Sequence, residues 1–234
     1  MIICLETATS LCSVALCDYD RVISLRESIE LKSHATLLTV YIDEILRENQ
    51  ITARELKAVA VSKGPGSYTG LRIGVSVAKG IAYGASVPVI GIETTLAMYW
   101  GMKESRYFTA VADKNTLLCP MLDARRMEIY YALYDSGGNK TKDISAEIIT
   151  EDSFMNIPES QKIILFGDGA AKCKDVIKRK NTFFAADYSI SASQMKKPVF
   201  QAFNDKKFED VAYFEPLYLK DFITSKPRKN ILGK

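Results

Sequence analysis

The order of short segments along this chain restricts its fold more than any one motif. Three β-type runs closed by polar turns lead to a helix, then to a strand that passes through a glycine turn into another helix, and the whole order occurs twice. In the first half the runs cover residues 2–6, 11–17 and 22–27. Loops this short join antiparallel neighbours, so the three runs read as a meander. A helix follows, with Ser33 as its cap and Leu38, Tyr41, Ile42 and Ile45 at i, i+3, i+4 and i+7. A strand at 58–62, a helix at 70–84, a strand at 89–92 and a helix at 94–101 then alternate, the pattern of a parallel portion. The second half reopens with runs at 116–122, 127–134 and 143–150, a helix-prone segment around Ser153, a strand at 162–166, the turn Gly167-Asp168-Gly169 and a helix at 170–179. A last helix starts near Ser191, breaks at Pro198 and leads to a frayed basic tail, Lys226-Pro227-Arg228-Lys229. The expected fold is therefore a duplicated α/β fold with two mixed sheets. Its lobes divide near the polar stretch 103–106 into residues 1–103 and 104–234, the last segment packing back on the first lobe.

Composition narrows the chemistry. With 47% hydrophobic and 25% charged residues, 234 residues can bury a core. Thirty-one basic against 28 acidic residues leave a net charge of +3, too balanced for a protein that coats nucleic acid by charge alone. His34 is the one histidine, so neither HxxxH nor HExxH zinc chemistry can be assembled within the chain. Cys4, Cys12, Cys17, Cys119 and Cys173 form no CxxC pair and lie mostly in apolar runs, which reads as small reduced hydrophobes. The N-terminus has no basic leader, and no apolar run approaches the ~18 residues of a membrane span. The expectation is a soluble cytoplasmic protein with no membrane partner.

The best-marked segment is Ser62-Lys63-Gly64-Pro65-Gly66-Ser67-Tyr68-Thr69-Gly70, between a strand and a helix. It reads two ways. Gly64, Gly66 and Gly70 with Ser67 and Thr69 could cradle a phosphate at a helix start, or they could form a tight turn with Thr69 capping the helix. The segment is not a Walker A loop, because Leu71 and Arg72 follow Gly70, and its glycine spacing is not that of a dinucleotide fold. Along the next helix Gly70, Gly74, Ala78 and Ala82 recur every fourth residue, while Ser76, Gly80 and Gly84 draw a second small-residue line. Interior Gly74 and Gly80 together cost about 2 kcal/mol against alanine, so close packing must offset them, either with both faces inside this chain or, the preferred reading, with one face against this chain and the other against a partner chain. The preceding helix is apolar over more of its circumference than one sheet can bury, which agrees. His34 reads as a cap or a hydrogen-bonding core residue, and Glu6, Asp123 and Glu128 as carboxylates at strand ends, structural or able to hold magnesium.

Leu5-Glu6-Thr7-Ala8-Thr9, Ser33-His34 ahead of Leu37-Leu38, the string from Gly64 to Gly74, Asp123-Ala124-Arg125-Arg126-Met127-Glu128-Ile129-Tyr130 and Pro216-Leu217-Tyr218-Leu219-Lys220 together resemble the TsaB (YeaZ) family. The likeness is close over the first 135 residues and looser beyond. It implies a duplicated actin-like and Hsp70-like fold, of the ASKHA and ribonuclease H-like class. It also implies a non-catalytic scaffold or activator, a homodimer when alone. In the cell such a subunit pairs with a TsaD-type catalytic subunit, which transfers threonylcarbamoyl to the tRNA adenosine next to the anticodon. A TsaE-type ATPase joins that assembly, and tRNA is met indirectly.

In that family the first two long helices face the partner, which places Leu37, Leu38, Tyr41, Gly74, Ala78 and Ala82 at the contact. Glu6 stands where the family commonly has Asp, and the first turn lacks the glycine of actin-like ATPases. The chain alone is therefore expected to hold no cofactor tightly, with ATP or ADP and Mg left to the assembled complex. The competing readings are an actin-like nucleotide-binding ATPase or transferase using the Gly64 to Gly70 turn and, weakest, a glycoprotease-like peptidase.

Overall fold

The computed structural model describes residues 1–29, 34–185 and 187–220. Two five-stranded sheets form, with the same order in each. In the first, β1 (Ile2–Glu6) lies antiparallel to β2 (Cys12–Cys17), which pairs with β3 (Val22–Ser28). On its other side β1 runs parallel to β4 (Ala58–Gly64), with Ile2 opposite Ala58, and β4 runs parallel to β5 (Val89–Glu93). The second sheet repeats the arrangement. β6 (Leu117–Asp123) is antiparallel to β7 (Glu128–Tyr134), β7 pairs with β8 (Lys140–Ile148), and β6, β9 (Ile163–Phe166) and β10 (Thr182–Ala185) run parallel. Duplicated segment order has become duplicated topology, each meander being extended by two parallel strands on its first strand's free edge.

Helices layer around these sheets. α1 (His34–Glu48) and α2 (Tyr68–Ala85) cover the outer face of the first sheet, burying Leu38, Ile42, Ile45, Val75, Ala78 and Ala82 with Ile3, Leu5, Val59 and Val61. α3 (Thr94–Lys103) and α5 (Lys196–Asn204) lie between the sheets, where Met98, Tyr99, Met102 and Val199 pack with Cys4 and Ala60 of one sheet and Leu122 and Phe166 of the other. That middle layer is one continuous apolar core. All five cysteines are buried as free thiols, and no described helix is long and apolar enough to cross a membrane.

Several elements differ from the sequence reading. The segment around Ser153 forms turns instead of a helix, and residues 170–179 hold only a short 3-10 turn at Ala171–Cys173. Between and after these segments the buried Arg179 guanidinium holds the carbonyls of Pro158, Gln161 and Lys180. Phe154, Ile157, Cys173 and Ile177 cover the second sheet from turns instead of helices. α4 (Arg106–Val111), capped by Ser105, occupies what reads as a polar linker, and β10 carries too little pattern to be seen. Pro198 does not break α5, since it stands in the first turn, where its missing N–H has no intrahelical acceptor. α2 is capped by Ser67, whose Oγ accepts from Gly70 N–H at 3.2 Å, and not by Thr69. Ser33 and the basic segment at 226–229 lie outside the described residues.

The glycines of α2 separate into two kinds. A Cβ on Gly70 would stand 2.0 Å from the Thr7 carbonyl oxygen, whereas a Cβ on Gly80 would meet nothing within 4 Å. Gly80→Ala is therefore expected to stabilise the chain by about 1 kcal/mol through helix propensity. Gly70→Ala should destabilise it by about 1 to 3 kcal/mol, because a backbone oxygen cannot swing aside. Urea unfolding of the two variants checks the opposite signs.

Candidate functional site

Three structural regions bear on function: the glycine turn, the outward side of α1 and α2, and a hairpin in the second lobe joined to the first by the C-terminal segment. At the glycine turn the chain folds into itself. Gly66 and Gly70 face Ala8 and Thr7, and Ser67 N–H donates to Ala8 O at 2.6 Å. Gly64 lies under the Leu217 carbonyl, 2.7 Å from where a Cβ would be, and carries φ 116°. The space that glycines open here is taken by this chain's own backbone, which accounts for each of the three. Thr69 is exposed.

Beneath the turn lies Glu6, fully buried. Its Oε1 accepts Ala8 N–H at 2.6 Å, and its Oε2 accepts the Ser62 hydroxyl. Burial pushes its carboxyl up to about 7, outweighing the hydrogen bonds from Ser62, Ala8 and Thr7 that favour the charged form. His34 Nε2 donates to Leu11 O at 3.2 Å, tying the start of α1 to the turn between β1 and β2. Like that tie, Glu6's hydrogen bonds all hold backbone or neighbouring strands.

The expected partner residues split by burial. Leu38, Gly74, Ala78 and Ala82 are buried against the first sheet, so the Gly70 to Ala82 stripe faces inward, and their placement at a contact with another chain is corrected. Helix and sheet approach closely there because Gly74 leaves room for Thr7 Oγ1. Leu37 and Tyr41 are half-buried over the same cluster. It is the second line, Ser76, Gly80 and Gly84, that is exposed, beside Tyr83 at 83%.

The third region depends on residues far apart in the chain. After α5 the segment 209–220 returns to the first lobe. Glu209 N–H donates to Val89 O, Lys79 Nζ holds the carbonyls of Ala212 and Phe214, and Leu217 N–H donates to Lys63 O at 2.6 Å. The Arg72 guanidinium lies 4.0 Å from the Tyr68 ring centre, and its Nε donates to Tyr218 Oη at 3.0 Å. Two residues on, Lys220 pairs with Glu128 of β7 and lies 5.3 Å from the Tyr130 ring centre, so the segment straps one lobe to the other. The hairpin it reaches is held by Lys172, whose Nζ pairs with Asp123 and donates to the carbonyls of Arg126 and Glu128. Asp168 Oδ1 accepts Asp123 N–H at 3.0 Å, and burial raises the Asp168 carboxyl above its ordinary range. Asp123 and Glu128 are thus each neutralised by a lysine. The link from Arg72 to Tyr218 has no local sequence signal, and Arg125 and Arg126 carry the family likeness without an assigned task.

Glu6 binds its proton more tightly in the folded chain than in the unfolded one, so its contribution is complete below about pH 4.5 and is lost as pH rises through about 7. The shift corresponds to about 3 kcal/mol. Glu6→Gln should remove that dependence and leave the variant more stable than the parent at pH 8. Denaturant midpoints measured from pH 4.5 to 8 decide it, and a parallel loss of stability in both proteins would contradict the assignment.

A family model described as TsaD, tRNA N6-adenosine threonylcarbamoyltransferase, matches residues 28–226. The chain is 28% identical over 233 residues to the tRNA threonylcarbamoyladenosine biosynthesis protein TsaB of Escherichia coli (strain K12), covering 96% of each. It is 27% identical over 169 residues to the protein of that name in Bacillus subtilis (strain 168), covering 70% of this chain and 69% of that one. Among solved structures, YeaZ from Pseudomonas aeruginosa superposes with a TM-score of 0.79 at 19% identity, over 93% of this chain and 99% of that one. The shared duplicated fold is thereby fixed.

Proposed function

Because the chain belongs to the TsaD family of tRNA N6-adenosine threonylcarbamoyltransferases, on its TsaB (YeaZ) branch, we propose that it serves tRNA threonylcarbamoyladenosine biosynthesis as a non-catalytic subunit that docks a TsaD-type catalytic subunit on the outward side of α1 and α2. The observation that carries this reading is the line of Ser76, Gly80 and Gly84. Gly80 and Gly84 lie inside or at the end of a helix where each costs about 0.8 to 1.0 kcal/mol against alanine, and beyond their own helix neighbours no atom of the described residues comes within 4 Å of either missing Cβ. Packing within the chain cannot be their reason. Close approach of a partner's helix is one, and Tyr83 supplies exposed apolar surface beside the line.

On the same reading the isolated chain uses this face for its own homodimer, so homodimer and TsaD-type partner compete for it. A TsaE-type ATPase joins the assembled complex, and ATP or ADP with Mg is held there and not by this chain alone. The filling of the glycine turn by Thr7 and Ala8 supports that division. The absence of a second imidazole supports assigning the transfer chemistry to the partner.

Gly80→Leu tests the docking face. Leucine is a better helix former than glycine and has open space here, so the folded chain should not lose stability. Calorimetric titration with a TsaD-type protein is expected to show affinity reduced about tenfold or more, a change of about 1.4 kcal/mol. Unchanged affinity in a stably folded variant would remove this face from the interface.

A further inference from the structure

Arg125 and Arg126 form the tip of the hairpin between β6 and β7 with φ of 72° and 51°, two consecutive left-handed residues neither of which is glycine. Three of the other positive-φ residues have an ordinary explanation, while Phe154 at 67° stands alone in a turn. Gln50, Ser86 and Lys206 follow the ends of α1, α2 and α5, where a left-handed residue commonly closes a helix. A pair of left-handed positions in a hairpin is the usual place of Asn and Gly, because glycine has no Cβ to crowd the backbone and the short Asn side chain hydrogen-bonds locally, neither of which arginine offers. Backbone strain of this kind is retained where the side chains have a task.

Both arginines are exposed, and neither side chain has a hydrogen bond or ion pair among the described residues. The carboxylates that could have neutralised them are occupied, Asp123 by Lys172 and Glu128 by Lys220. The turn is meanwhile made rigid from below, since Lys172 Nζ also holds the Arg126 and Glu128 carbonyls at 2.6 and 2.8 Å. Two unpaired arginines thus follow one another on a braced loop. The strap that reaches this hairpin through Lys220 and Glu128 also holds Tyr218 against Arg72 and Tyr68, an aromatic and cationic group of the kind on which unstacked bases and phosphates rest.

We propose that the Arg125-Arg126 hairpin is a phosphodiester-binding element through which this chain touches RNA directly, the guanidiniums taking backbone phosphates. Guanidinium forks suit phosphate oxygens, and a modest net charge of +3 does not oppose local recognition by a braced pair. Only the choice of tRNA as the RNA rests on the function proposed above.

The decisive variant is Arg125→Asn with Arg126→Gly, which removes both charges and gives the turn the residues its backbone prefers. Its thermal midpoint should rise, so lost binding could not be ascribed to misfolding. Fluorescence anisotropy of a labelled tRNA, titrated with the full chain alone and with its TsaD-type partner, is expected to show affinity lower by about tenfold or more. The salt dependence of log K should flatten by about 1.5, two phosphate contacts at 0.7 to 0.9 each. Arg125→Lys with Arg126→Lys should retain most of the salt slope. Equal tRNA affinity and slope in parent and Asn-Gly variant would overturn the proposal, as would a parent that binds no tRNA in either state. A variant that keeps tRNA but loses the partner would overturn it in favour of an acidic protein surface. Calorimetry of parent and partner without RNA reports separately on the docking function, which can fail while the tRNA result stands.

Discussion

The contact that the first lobe depends on is the approach of the Thr7 and Ala8 backbone to the start of α2. Gly66 and Gly70 let two carbonyls occupy positions where side chains would otherwise stand, and Gly74 lets Thr7 Oγ1 lie against the helix itself. With α2 drawn onto β1 and β4, its Ala78 and Ala82 close over Val59 and Val61 without a gap. The same contact puts Glu6 under the turn, away from water, where its hydrogen bonds go to Ala8 and Ser62. Burial of that acid is a consequence of close packing. In a looser turn, water would reach the carboxylate and its proton affinity would return to ordinary.

The two lobes share sheet topology but not the way they cover it. In the first, α1 and α2 bring long apolar faces to the outer side of the sheet. In the second, turns and a short 3-10 segment do so, with Phe154, Ile157 and Ile177 pointing inward and Arg179 collecting the carbonyls that turns leave open. Strand order is set by hairpin length and crossover handedness, which tolerate many sequences. Coverage is set by which apolar side chains are available and how the backbone between them is satisfied, and that differs between copies. The lobe with two helices is the one that presents a second, outward helix face.

Period and turn chemistry made the sheets legible. Alternating or continuous apolar runs between Asp, Gly and Ser turns marked nine of the ten strands, and the missing one, β10, is four residues long with no flanking signal on which to rest. The expected helices at 153 and 170–179 are turns, and the buried Arg179 guanidinium that ties the chain together there has partners up to 22 residues away, beyond the reach of local propensity. The site divides similarly. Small-residue spacing revealed both lines on α2, but which line faces the sheet depends on Thr7 and Val61, which periodicity within the helix does not encode. The strap was hidden for the plainest reason, since Arg72 and Tyr218 are 146 residues apart.

One residue type therefore has opposite meanings within a single helix. At Gly70 and Gly74 the lost Cβ is repaid inside the chain by backbone contact, and adding it would force atoms apart. At Gly80 and Gly84 nothing in the chain offsets the loss, so selection for the isolated fold would favour alanine. The Arg125-Arg126 tip obeys the same logic from the other direction: residues that fit the backbone poorly persist, with their charges unpaired, on a turn that the chain braces with Lys172. Departures from self-consistency in an otherwise locally consistent sequence are informative because stability alone would erase them. Both departures lie on the surface, on the lobe faces reached by α2 and by the strap, where a second molecule has access to them.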